Sequence, residues 1–131
     1  MRARLEEATR KIIAEIERDG SVTAFGHTYR PNSLRNDSPL AGLCHGAVAR
    51  LIEECSDLDF TVLSFEISRE KLFEGGRHTI ARVGEYDIDP TIGQYIPGAK
   101  TIYESHETYP LTIVAGSLKE ISGRRFITGQ E

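Results

Sequence analysis

Residues 78–95 read HTIARVGEYDIDPTIGQY, and this stretch decides the fold class. Strand-favouring residues flank Gly84-Glu85, and glycine at the first position of a two-residue loop suits a II′ turn. The pattern predicts a β-hairpin in which Val83 pairs with Tyr86. Arg82 then faces Asp87, Ile80 faces Asp89 and His78 faces Thr91. Side chains alternate between the two faces of a strand, so His78, Asp87, Asp89 and Thr91 share one face. Asp89 becomes the diagonal neighbour of His78, with Cβ atoms about 5–7 Å apart, close enough for a carboxylate to orient an imidazole.

Outward from the hairpin, FTVLSFEI (Phe60–Ile67) reads as another strand. Thr101–Tyr103, Leu111–Ala115 and Leu118–Ile121 read as shorter ones. Upstream, residues 3–19 form an amphipathic helix with Leu5, Ile12, Ile13 and Ile16 on one stripe and Gly20 as its stop. Val22–Tyr29 is strand-like around Gly26, and the polar segment PNSLRNDSP at 31–39 is a loop. A second helix covers roughly 40–55, LAGLCHGAVARLIEEC, with Leu43, Ala47, Val48, Leu51 and Cys55 at helical period. It starts either at Ser38-Pro39, as cap and first residue, or after Gly42. Helices followed by strands predict a single α+β domain over residues 1–131, its helices packed on an antiparallel sheet.

Cys44 lies near the start of the second helix. There the unpaired N–H groups and the helix dipole favour a thiolate, the form that attacks carbonyl carbon. Cys44 and Cys55 are eleven positions apart in one helix, about 16 Å at ~1.5 Å per residue, whereas a disulfide needs Cα atoms within ~7 Å. The two therefore do not bridge. With His78 as base and Asp89 to hold it, Cys44 completes a nucleophile, base and orienting-carboxylate set. Asp87 is the alternative carboxylate, but a surface cross-strand ion pair with Arg82 accounts for it more simply. His45 points about 100° away from Cys44 around the helix and reads as a rim histidine. His27 and His106 fall in expected loops and face solvent. A zinc site from Cys44, His45, Cys55 and His78 lacks close C-x-x-C spacing. No metal or cofactor is expected, and no phosphate-binding glycine motif occurs.

GLCHGA at 42–47, HTIARVGEYDIDP at 78–90 and DPTIGQY at 89–95 together resemble the papain-like/transglutaminase-like superfamily. The shared pattern is a cysteine at a helix N-terminus, a histidine opening a strand, then D-P-T-x-x-Q-[YF] on the next strand. The closest likeness is to small deamidase and cysteine-protease domains of bacterial toxins and effectors, over roughly residues 38–112. That resemblance implies Cys44 as nucleophile, His78 as base then acid, and Asp89 as the orienting carboxylate. Gln94 is implied in a structural or oxyanion-side role. A papain-type enzyme carries a glutamine about six residues before its nucleophile, and this chain has Ser38 there. The Cys44 amide with Asn32 or Asn36 would have to form the oxyanion hole instead. The implied activity is protein-glutamine deamidation through a thioester. Cysteine peptidase, transglutaminase-type acyl transferase and a catalytically silent interaction domain are the alternatives. The implied partners are a protein or peptide substrate and, for a toxin, an immunity or inhibitor protein.

The chain has 131 residues, 39% of them hydrophobic and 27% charged, a composition suited to one compact globular core. Its net charge is −4, and Arg30, Arg35, Arg50, Arg69, Arg124 and Arg125 are scattered, which argues against nucleic acid. No apolar run approaches a membrane span, and the charged start MRARLEEATRKIIAEIERDG has no signal-peptide core. Cytoplasmic synthesis is expected, with release by a dedicated secretion system open.

Overall fold

A computed structural model describes residues 1–31, 43–67, 76–114, 116–117 and 125–129. The chain begins with α1 (Arg2–Asp19), whose buried stripe is Leu5, Ala8, Thr9, Ile12 and Ile16. Gly20 ends it at φ +69 and donates its N–H to the Ile16 carbonyl at 2.8 Å, a left-handed cap that glycine adopts without strain. β1 (Val22–Ala24) and β2 (His27–Tyr29) follow as a hairpin rather than one strand. The chain reverses because Phe25 and Gly26 both take positive φ, 50° and 79°, with the Phe25 N–H held by Glu53 Oε2 at 2.9 Å. His27 therefore opens β2, with its ring edge-on to Tyr29, rather than lying in a loop.

α2 (Cys44–Glu54) starts after Gly42, the later of the two expected starts. The main sheet contains β3 (Thr61–Ile67), β4 (Gly76–Val83), β5 (Tyr86–Ile88), β6 (Ile102–Glu104), β7 (Thr108–Val114) and β8 (Arg125–Gly129). Their order is β6-β5-β4-β3-β7-β8. Neighbours are antiparallel except β7 and β8, which run parallel and depart from the all-antiparallel expectation. The expected strand Leu118–Ile121 lies outside the described residues.

The hairpin register is the expected one, with Val83 opposite Tyr86, Arg82 opposite Asp87 and Ala81 opposite Ile88. Gly84 has φ +58, as the first position of a II′ turn demands. Pairing stops at Ile88, short of the expected His78–Thr91 and Ile80–Asp89 pairs. Pro90 has no N–H for a ladder bond, and Asp89 gives its own N–H to Thr101 on the other side, at 2.7 Å.

Alternation along β4 sorts the interior into two halves. Ala81 and Val83 join Ile88 and Ile102 against α1, α2 and Val22. Ile80 joins Leu63, Phe65, Tyr103, Tyr109 and Leu111 on the opposite face, under Ile92. This second face is concave. β6 and β7 are four strand steps apart, about 19 Å on a flat sheet at ~4.8 Å per step. The rings of Tyr103 on β6 and Tyr109 on β7 nevertheless sit 5.6 Å apart. The sheet is therefore curled until it nearly closes. Among the described residues, no helix is long and apolar enough to cross a membrane.

One glycine ties the β1–β2 hairpin to the start of α2. A Cβ on Gly46 would lie 2.5 Å from Tyr29 Cγ and 2.8 Å from Val22 Cγ1, atoms near the backbone that cannot swing aside. Gly46→Ala should destabilise the protein by up to about 2 kcal/mol, the overpacking cost of ~1–3 kcal/mol less the ~1 kcal/mol helix gain from alanine. Chemical denaturation of the two proteins checks this; a stabilised Gly46→Ala protein would show that the contact yields freely.

Candidate active site

Leu43 caps α2 without a side-chain hydrogen bond, and Cys44 is the first helical residue. The first amides of a helix have no intrahelical acceptor, so the Cys44 N–H and sulfur both sit at the positive end of the dipole. Cys44 is 8% exposed and His78, near the start of β4, is fully buried. β4 carries His78 on the concave face because its cross-strand partner Phe65 lies there. The Phe65 ring meets the imidazole edge-on at 6.1 Å, and Tyr95 meets it from another side at 5.2 Å.

His78 Nε2 and Asp89 Oδ2 are 2.8 Å apart, both side chains wholly shielded from solvent. The carboxylate thus occupies Nε2 and leaves Nδ1 as the nitrogen available to Cys44. Nδ1 has no hydrogen-bond partner at full bonding geometry. Sulfur and ring are nonetheless near enough to alter each other's acidity, and a loose nucleophile–base contact that tightens on substrate is usual before binding.

The two groups shift in opposite directions, each in the sense that the charge of the other favours. Burial pushes the Cys44 thiol up, but the neighbouring His78 ring and its charge, with the Thr79 amide, more than reverse this, and the thiol falls below its ordinary value. Burial pushes the His78 ring down. Asp89 and the Cys44 sulfur overcome it and raise the ring to about 10. A lowered thiol beside a raised imidazole favours thiolate–imidazolium. Cys55 is the contrast: it is buried at the far end of α2, and that burial pushes its thiol up. Both cysteines are free thiols.

Asp87 does not replace Asp89. Arg82 holds it through two bonds, Nε–Oδ1 at 2.7 Å and Nη2–Oδ2 at 3.1 Å. The pair is cross-strand as expected but not on the surface, since Asp87 is 2% exposed. The curled sheet shelters a face that a flat hairpin would leave wet.

Thr91 is buried, and Gln94 in the short 3₁₀ turn Ile92–Gln94 donates from Nε2 to Thr91 Oγ1 at 3.2 Å. That bond braces the turn that leads into Tyr95. Asn32, Asn36 and Ser38 lie outside the described residues. His45 is exposed at the rim, its ring nitrogens 3.2 and 3.3 Å from Thr79 Oγ1. The residues that follow Cys44 and His78 in the chain are thus bonded to each other, which helps hold the start of α2 against β4. His106 is exposed in the β6–β7 turn. Cys44 and Cys55, at opposite ends of α2, do not share a metal site. Among the described residues, Glu104, His106 and Glu107 form the one group with metal-ligand spacing.

Sequence reasoning missed Tyr109. Its hydroxyl donates to Asp89 Oδ2, the oxygen that also serves His78, while Asp89 Oδ1 is buried with no partner. A tyrosine in a strand ordinarily reads as core, so nothing at position 109 marked it. Comparison with family models, curated proteins and solved structures found no match to this chain.

Proposed function

We propose that this protein is a cysteine-nucleophile enzyme of papain-like/transglutaminase-like type that deamidates glutamine side chains of a protein substrate. The observation that carries the reading is geometric: Cys44 is the first residue of a helix, beside an imidazole that a fully buried carboxylate fixes at 2.8 Å, and the thiol is lowered and the ring raised to match. Structural ion pairs also shift acidities, but they seldom lower a thiol beside a histidine held in this way.

The Cys44 thiolate attacks the carboxamide carbon, and the Cys44 amide donates to the developing oxyanion. The His78 imidazolium gives its proton to the departing nitrogen, the C–N bond breaks to release ammonia, and the acyl group stays on the Cys44 sulfur as a thioester. His78, now neutral, takes a proton from water as the hydroxide adds to the thioester. Collapse releases the substrate carboxylate and returns the thiolate–imidazolium pair. Asp89 keeps the ring oriented and offsets its charge in both halves of the cycle.

Low exposure favours a side-chain amide over a main-chain one. With His78 at 0% and Cys44 at 8%, a slender carboxamide entering end-on reaches the sulfur more readily than a polypeptide lying across it.

Mass spectrometry of glutamine-bearing proteins after incubation tests the reaction, through the small mass gain of deamidation, cleaved peptides or cross-links. The thiol itself is tested with iodoacetamide at pH 6–7. Cys44 should be modified well before Cys55, because only its thiol is lowered. Equal rates for the two thiols would remove the basis of the proposal.

A further inference from the structure

We propose that Tyr109 is a positioning residue of this site: by sharing Asp89 Oδ2 with His78, its hydroxyl locks the carboxylate in the orientation that presents the imidazole to Cys44. The inference rests on the enzyme reading above for its functional meaning, but its geometry stands alone.

Asp89 offers two oxygens, and both available donors converge on one of them. His78 Nε2 and the Tyr109 hydroxyl meet Oδ2, and Oδ1 is left bare in a wholly buried setting. A lone ring–carboxylate bond permits rotation about Cβ–Cγ, which would exchange the two oxygens and tilt the ring. A second donor arriving from β7 removes that freedom. Tyr109 is suited to the task, being 1% exposed and wedged edge-on between Phe65 at 5.9 Å and Tyr103 at 5.6 Å. Phe65 also packs on the His78 ring, so one aromatic stack sets both donors. Burial and the neighbouring Asp89 charge raise the phenol well above its ordinary range, which keeps the hydroxyl protonated as a donor across the working pH. Tyr103 has no such role, because its hydroxyl donates to the Lys100 carbonyl at 2.7 Å.

The test compares native protein with Tyr109→Phe, which keeps the ring and removes the bond, and with Tyr103→Phe, the same change in the adjoining ring. Two readouts are used: the pH profile of Cys44 alkylation by iodoacetamide, and the NMR resonance of the His78 ring N–H that bonds Asp89. In Tyr109→Phe the alkylation midpoint should rise by about half a unit to one unit, the scale of one buried hydrogen bond. The rate at pH 6.5 should fall about 3–10-fold with it. The ring N–H resonance should move upfield and broaden, and Tyr103→Phe should leave both readouts at native values. An unmoved or lowered midpoint with an unchanged ring signal overturns the proposal. So does an equal shift in Tyr103→Phe, which would assign the effect to packing. If native Cys44 reacts no faster than Cys55, the enzyme reading fails separately, and the ring resonance still decides whether Tyr109 orients Asp89 and His78.

Discussion

Replacing His78 with alanine is expected to lower turnover by ~10²–10⁴-fold, the usual contribution of a positioned acid–base group. Cys44→Ala should abolish it, because the proposed thioester forms on that sulfur. The His78 effect should also appear without substrate. The adjacent His78 ring and its charge are what overcome burial at Cys44, so their loss should drive that thiol above the range of an ordinary cysteine. Alkylation of Cys44 near pH 6.5 should then fall to the rate of Cys55 or below. Retention of a fast Cys44 in His78→Ala would assign activation to the helix start alone. Cys55→Ala is expected to leave turnover largely intact, since that thiol lies at the opposite end of α2.

The second large effect concerns stability. Asp89→Ala strips a fully buried imidazolium of its counter-charge, a class of change that costs about 3–5 kcal/mol. The pH dependence has a definite sign. His78 is raised from 6.5 to about 10 on folding, so its contribution is complete below pH 6.5 and is lost as pH climbs through about 10. The difference in Tm between native protein and Asp89→Ala should therefore be greatest near pH 6 and should narrow steadily up to pH 10. A constant gap over that range would mean that Asp89 stabilises the fold by packing rather than through His78. Asp89→Ala should reduce turnover less than His78→Ala, since in the proposed mechanism the carboxylate orients and does not react.

The hairpin was readable in the sequence because its determinants are local. Gly84 sets the turn, the turn sets the register, and strand alternation puts His78 and the aspartates on one face. The place of Cys44 at a helix start was readable from Gly42 and the apolar period beyond it. Choosing Asp89 over Asp87 was also a local matter, because Arg82 lies directly opposite Asp87. The sheltering of that ion pair was not readable, since it depends on how far the sheet curls. Neither was Tyr109, which meets Asp89 from a strand twenty positions later and three strands away in sheet order. The β1–β2 hairpin escaped notice because its turn asks Phe25, a residue poorly suited to positive φ, to adopt it.

The curl of the sheet has a consequence for how the protein acquires its reactivity. Cys44, His78, Asp89 and Tyr109 arrive on α2, β4, the end of β5 and β7, and the last of these reaches the others only after the sheet has rolled up. Contacts between segments distant in sequence form late in folding, after the loop-closure entropy has been met. During refolding from denaturant, fast alkylation of Cys44 should thus lag behind the recovery of helical circular dichroism. A thiol that becomes selectively labelled only in the fully curled sheet makes this site a built-in clock for the last step of assembly.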